Sequence, residues 1–346
     1  MTTRRTFLGL LAALAARPAL AAKQAPVRTY GGRDDVRAFI AEMVERHGFA
    51  QGELESAFSR AQFQPSVVKA MTPLPSGQRS WSVYRSRFLN PPRIDGGVAF
   101  WSQHREALRR AAESFGVPEE YLVAIIGVET IYGRNTGGYR VIDALATLTF
   151  DYPRRADFFR GELESFLLLA RENDVDVLGL KGSYAGAVGI PQFMPSSWRR
   201  YAVDFDGDGR RDLLGSPTDA VGSVANFLRE HGWVPDAPVA YPVRVEGDAW
   251  RSFADGGVEP VHPLATLASA GVTVDTFAPT LAEDARAVLV ELETPNAPSD
   301  LWLGFQNFHA ITRYNRSSFY AISVIELANA VRAAYGAPGR TTITIR

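Results

Sequence analysis

Between Tyr121 and Tyr132 the chain reads YLVAIIGVETIY, and Glu129 is its one charged side chain. Pro118, Glu119 and Glu120 stand where a helix would begin, with proline in the first turn and acids at the positive end of the dipole. The apolar residues that follow cover every side of such a helix, the pattern of one buried in a domain core. An ionised carboxylate there is unfavourable unless it is paired, and burial would raise its pKa. A carboxyl that keeps its proton near neutral pH can serve as a general acid, so Glu129 is the first catalytic candidate. The competing reading is a core glutamate satisfied by an arginine such as Arg134 or Arg154.

Three other segments carry chemistry. In Asp204-Phe205-Asp206-Gly207-Asp208-Gly209-Arg210-Arg211-Asp212, aspartates alternate and Gly209 supplies the sharp turn of an EF-hand calcium loop. Asp204, Asp206, Asp208 and the Arg210 carbonyl would ligate the ion. Gly215 occupies the last ligand position, so Asp219 is the residue expected to close a lengthened loop. A solvated Asp-Gly turn is the alternative. In residues 181–197, KGSYAGAVGIPQFMPSS, small residues allow close backbone approach, and Ser183 and Gln192 can hydrogen-bond a polar ligand. In residues 313–320, RYNRSSFY, aromatic rings mix with amide and guanidinium groups, which suits a carbohydrate.

The elements that must position these groups are mainly helical. Gly31 to Ala70 repeats apolar residues at helical spacing through Val36, Phe39, Ile40 and Met43, then Leu54 and Phe58. Met71 to Gln78 is rich in turn residues and reads as a linker. Helical patterns broken by glycine and proline run from 95 to 235. From Asp236 to about Pro298 the pattern changes, and VAYPVRV and ARAVLVELE (285–293) predict short strands. Helix returns in YAISVIELANAVRAAYG, and the terminal TTITIR would add an edge strand. The expected organisation is an accessory helical domain at 30–80, a core at 81–235 and a small β-rich insertion at 236–300. The segment 301–346 then returns to the helical body.

Residues 1–21, MTTRRTFLGLLAALAARPALA, combine a charged start, a short apolar run and a small-residue cleavage site. Arg4-Arg5 before Thr6-Phe7-Leu8 predicts a twin-arginine export signal and a periplasmic protein. No cysteine is present to carry a lipid or form a disulfide, so no membrane anchor is expected after signal cleavage. The chain holds 37 basic and 38 acidic residues; without Arg4, Arg5 and Arg17 the formal charge is about −4. That balance disfavours nucleic acid or an anionic membrane as partner. The five histidines are scattered without zinc-ligand spacing.

Together GVETIYG around Glu129, DALATLTFDYPRRADFF (143–159), KGSYAGAVGIPQFMPSS, VDFDGDG (203–209) and ITRYNRSSFYA (311–321) resemble the lytic murein transglycosylase B family. The resemblance runs from about Trp81 to Ala328. It implies an α+β, mainly α protein with a lysozyme-like core and an EF-hand-like calcium loop. The implied activity is cleavage of peptidoglycan strands between N-acetylmuramic acid and N-acetylglucosamine, with cell-wall synthesis or division proteins as further candidate partners. By the same resemblance Glu129 is the single acid/base. Ser183, Gln192, Tyr84, Tyr314, Asn315 and Tyr320 line the substrate cleft, and Arg154 and Arg155 form a structural pair. Structural calcium is the implied cofactor, with no organic one. Phe227 stands where the family carries tyrosine, and the acidic loop is one residue longer before Asp219.

With one carboxyl in place of two, the expected reaction leaves 1,6-anhydro-muramyl ends. An ordinary lysozyme-type hydrolase would need a second carboxyl, for which Asp143 is the suspect. A non-catalytic peptidoglycan-binding protein would keep the aromatic cleft without needing Glu129.

Overall fold

The computed structural model describes residues 28–72, 80–274, 281 and 284–336. The export segment, most of the linker and the terminal TTITIR lie outside the described residues. The first helix, Asp34–His47, opens with Asp34 and Asp35, ends in Arg46 and His47, and stops at Gly48 in the left-handed region. Its Val36, Phe39, Ile40 and Met43 are buried, as their spacing predicts. Helices Gln51–Arg60 and Pro65–Met71 follow. The rings of Phe39, Phe58, Tyr30 and Phe150 lie 5.7–6.3 Å apart, which docks these helices on the helix Val141–Phe150.

The centre of the larger core is the helix Glu119–Thr130, in which every residue from Leu122 to Val128 is buried. Helices Pro91–Gln103, Arg105–Phe115, Pro217–Glu230 and Ser318–Tyr335 pack around it. At its start Trp101 Nε1 donates to Glu119 Oε2 at 2.6 Å, and Arg332 pairs with buried Glu120 at 2.5 Å. The two acids expected at a helix start therefore also join it to its neighbours.

Five strands form an antiparallel sheet in the order His262–Pro263, Arg286–Leu292, Asp300–Gly304, Ala240–Val245, Val272–Val274. Pro242 lies opposite Trp302. Alternate residues of the strand Arg286–Leu292 face two cores: Val288, Val290 and Leu292 join the main one, Ala287 and Leu289 a smaller one with Tyr241, Trp250 and Leu303. Burial of both faces explains the unbroken apolar run AVLV. The sheet extends to Gly304, so the expected boundary at 300 falls at the first residue of a strand. Trp81 ties it to the helical body, donating its backbone N–H to Glu293 O and its indole N–H to Asp300 Oδ2, both at 2.8 Å.

Candidate active site

Glu129 is the penultimate residue of the Glu119–Thr130 helix and partly buried. No described arginine satisfies it; Arg134 and Arg154 are both exposed. Its partner is Tyr320, whose hydroxyl donates to Oε1 at 2.6 Å. Burial pushes the carboxyl up to about 7, and the Tyr320 hydrogen bond opposes that shift without cancelling it. The carboxyl therefore keeps a substantial protonated fraction near neutral pH.

Three tyrosines feel the Glu129 charge. Burial raises the phenols of Tyr320 and Tyr314 well above their ordinary value and Tyr84 to about 12, and Glu129 adds to each. The rings of Tyr314 and Tyr320 are near-parallel, 6.4 Å apart. Tyr84 packs edge-on against Phe319 at 5.6 Å and tilted against Phe88 at 5.1 Å. Tyr184, an exposed ring beside Ser183, adds to the rise of the Tyr84 phenol. The structure thus brings Tyr84, Tyr314 and Tyr320 round the acid, while Asn315 is exposed at the rim.

Ser183 and Gln192 sit on the loop that follows the short strand Lys181–Gly182, which pairs with Tyr139–Arg140. Ser183 Oγ accepts from the backbone N–H of Ala185 and Ala187 at 3.3 and 3.0 Å, so its hydroxyl proton remains to donate. Gln192, at φ 52°, gives its amide N–H groups to Thr136 O and Gly189 O, both at 3.0 Å. That leaves its carbonyl oxygen for a ligand. Tyr314 spends its hydroxyl on Pro191 O at 2.6 Å. Phe227 is buried 4.8 Å from the Tyr314 ring, a wall under the cleft without a hydroxyl.

Asp143, the suspected second carboxyl, is engaged elsewhere. It accepts from Gln62 N at 2.8 Å, Gln64 Nε2 at 3.2 Å and the Arg140 guanidinium at 2.8 and 2.9 Å. Those bonds fasten the accessory helices to the core. Arg154 and Arg155 are exposed in a single 3₁₀ turn, Arg155 lying over Phe158 at 4.2 Å.

In the acidic loop, carboxyl oxygens of Asp204, Asp206 and Asp219 lie within 4.8 Å of one another. Asp219 is fully buried at the start of the helix Pro217–Glu230. Asp208 stands outside this trio. Its Oδ1 accepts the N–H of the exposed Arg210 at 2.8 Å, while its own N–H donates to Asp204 Oδ1 at 3.1 Å. Three hard oxygen donors with like charge, one of them buried, fit a calcium ion. The loop is docked on the core through Phe205, under the Arg110 guanidinium at 4.4 Å.

Sequence reasoning assigned no role to Thr130 or Tyr184, both inside motifs it quoted. The hydroxyl of Thr130 at a helix end was the available signal, but which atom it meets depends on tertiary packing.

The family model described as Transglycosylase SLT domain matches residues 31–329. The chain is 43% identical over 314 residues to the membrane-bound lytic murein transglycosylase B of Escherichia coli K12, covering 88% of this chain and 84% of that protein. The crystal structure of the soluble lytic transglycosylase SltB1 from Pseudomonas aeruginosa superposes with a TM-score of 0.81 at 46% identity, covering 88% of this chain and 100% of that one. Slt35 of Escherichia coli, in complex with calcium, gives a TM-score of 0.80 at 42% identity, over 89% and 97%. The mainly helical, lysozyme-like architecture is shared with both.

Proposed function

We propose, from the premise that this chain belongs to the SLT-domain transglycosylases, that it is a lytic transglycosylase of peptidoglycan in which Glu129 is the sole acid/base. The observation that carries the reading is a carboxyl raised to about 7 by burial, held by Tyr320 at the wall of an aromatic cleft. Protonated Glu129 gives its proton to the glycosidic oxygen as the bond to C1 of N-acetylmuramic acid breaks. The substrate's 2-acetamido oxygen stabilises the electron-poor C1. Glu129, now a carboxylate, takes the proton of the muramyl C6 hydroxyl as that oxygen bonds to C1, closing the 1,6-anhydro ring and restoring the acid. No water is consumed.

Around this centre we assign substrate contacts to Ser183, Gln192, Tyr84 and Asn315. Tyr314 and Tyr320 shape the wall behind them. Asp204, Asp206 and Asp219 would hold a structural calcium, with the chemistry of an all-oxygen clamp that neutralises the loop. We place the mature protein in the periplasm, reached by the twin-arginine route through Arg4 and Arg5. Among the described residues no helix is long and apolar enough to cross a membrane. We divide the chain into accessory helices, core, β-rich insertion and returning segment at the boundaries expected above.

Digestion of purified peptidoglycan, with muropeptides weighed by mass spectrometry, tests the activity. Products one water lighter than hydrolysed muropeptides are expected. Ordinary reducing ends would identify a hydrolase, and an absence of products from folded, calcium-supplied protein would identify a binding protein.

A further inference from the structure

The turn that presents Gln192 is a junction of several segments. Val188 and Phe193 close it with reciprocal backbone bonds of 2.8 and 3.1 Å around Gly189-Ile190-Pro191-Gln192. Three of its carbonyls are occupied: Gly189 O by Gln192 itself, Ile190 O by the Thr130 hydroxyl at 2.7 Å, Pro191 O by Tyr314 at 2.6 Å. Ile190 N–H donates to Leu213 O at 2.8 Å. Gly189 has φ 76°, and a Cβ there would lie 2.4 Å from Leu213 O, so the close approach requires glycine.

Thr130 follows Glu129 and is fully buried. Its single hydroxyl donates to Ile190 O and accepts the Gly133 N–H at 2.9 Å. Between those contacts the backbone runs through left-handed φ values of 52° at Ile131, 61° at Tyr132 and 82° at Gly133. Two of the three carry side chains, one of them β-branched, and such a backbone persists only where its surroundings hold it. Tyr132 supplies one restraint, its hydroxyl donating to Arg93 O at 2.7 Å. Its ring fills space left by Gly96, Gly97 and Gly127, where an added Cβ would come within 2.9 Å of it or closer. Backbone bonds from Ile131 N–H to Gly127 O at 3.2 Å, Tyr132 N–H to Ile126 O at 3.3 Å and Asn135 N–H to Thr130 O at 2.9 Å add to it. Thr130 supplies a side-chain restraint that also reaches the substrate-side turn.

We propose that Thr130 is a positioning residue that locks the end of the Glu129 helix to the turn carrying Gln192, so that the proton donor and the substrate-holding amide keep one geometry. The inference rests on the reading of Glu129 as the acid. Without the hydroxyl, Ile190 O loses its donor and Gly133 N–H its acceptor, and the strained backbone can relax. Displacing a reacting group by about 1 Å can cost a hundredfold in rate.

Thr130→Val preserves shape and removes the hydroxyl; Thr130→Ser keeps the hydroxyl. Both are compared with wild type and Glu129→Gln by thermal melting and by kcat and KM on a defined glycan oligosaccharide from about pH 5 to 9. The expected result for folded Thr130→Val is a kcat about 10- to 100-fold lower with KM within about twofold. Its alkaline limb should move to lower pH as water reaches the Glu129 carboxyl, and Thr130→Ser should restore both. Wild-type kcat and an unmoved limb in folded Thr130→Val would overturn the proposal, as would a serine variant as impaired as the valine one. Should Thr130→Val not fold, Thr130→Ser decides: a kcat within about twofold of wild type supports the role of the hydroxyl, and a tenfold loss rejects it. Cleavage surviving Glu129→Gln would instead remove the reading of the acid itself, a result distinct from an inert Glu129→Gln beside an unimpaired Thr130→Val.

Discussion

Glu129 and Asp219 are both withdrawn from solvent and both have raised carboxyl pKa values, yet their surroundings equip them for opposite tasks. Burial is the leading cause in each case. Among the described residues Glu129 has one donor, the Tyr320 hydroxyl, with the phenols of Tyr314 and Tyr84 close by. Asp219 accepts from three backbone N–H groups: Phe205 at 2.8 Å, Asp206 at 3.2 Å and Asp212 at 2.8 Å. It also lies beside two further aspartates. A carboxyl with one movable donor can gain and lose a proton during a reaction. One held by three fixed amides draws the loop together and presents negative charge to a cation. The number and kind of donors, more than burial, separates an acid from a ligand.

The largest effect follows from removing the proton of the first carboxyl. Glu129→Gln keeps the shape and should lower strand cleavage about 10³-fold or more, read as muropeptide release, while the glycan still binds. Asp219→Ala should act on stability. Three amides lose their acceptor, which costs about 3 kcal/mol or more, seen as a melting temperature several degrees lower. Calcium at about 100 times its Kd should raise the wild-type melting temperature by about 5 °C and leave Asp219→Ala unmoved. An equal rise in both proteins would place the ion elsewhere.

Glu129 also links stability to pH. Its folded pKa of about 7 lies above the ordinary carboxyl value of 4.5. Its favourable contribution is therefore complete below about pH 4 and is lost as pH rises through 7. Glu129→Gln abolishes that dependence, so above pH 7 the variant should be more stable than wild type by about 2–3 kcal/mol in urea unfolding. A gap that does not change between pH 4 and 8 would show that Glu129 titrates normally. The smallest effect is expected from Tyr320→Phe. Loss of the 2.6 Å bond leaves the ionised form less supported, so the alkaline limb of the rate profile should move to higher pH. Cleavage near pH 6 should fall about tenfold.

Much of this could be read along the chain because it rests on local pattern. The helix around Glu129 shows as continuous apolar surface flanked by Pro118 and two acids, and the helix Asp34–His47 as repeats of Val36, Phe39, Ile40 and Met43. The strands Ala240–Val245 and Arg286–Leu292 show as β-rich runs. The strand Asp300–Gly304 was not anticipated: LWLG is too short to display a period, and only its pairing with Arg286–Leu292 makes it a strand. In the acidic loop the alternation of aspartates was visible, but equal spacing did not imply equal geometry. Asp204 and Asp206 converge with Asp219, while Asp208 accepts the N–H of Arg210.

From its sequence alone this protein acquires an isolated acid in an apolar helix, an oxygen-rich loop, and a set of glycines, tyrosines and small polar residues in ordered motifs. Those are properties of residue type and near spacing. The tertiary structure decides which groups meet across 191 positions, as Tyr320 does with Glu129. It also decides that Asp143 is used up in joining helices and that Thr130 grips Ile190. Hydrogen bonds and desolvation act over a few ångströms in space, whereas the chain records only which residues are available to make them.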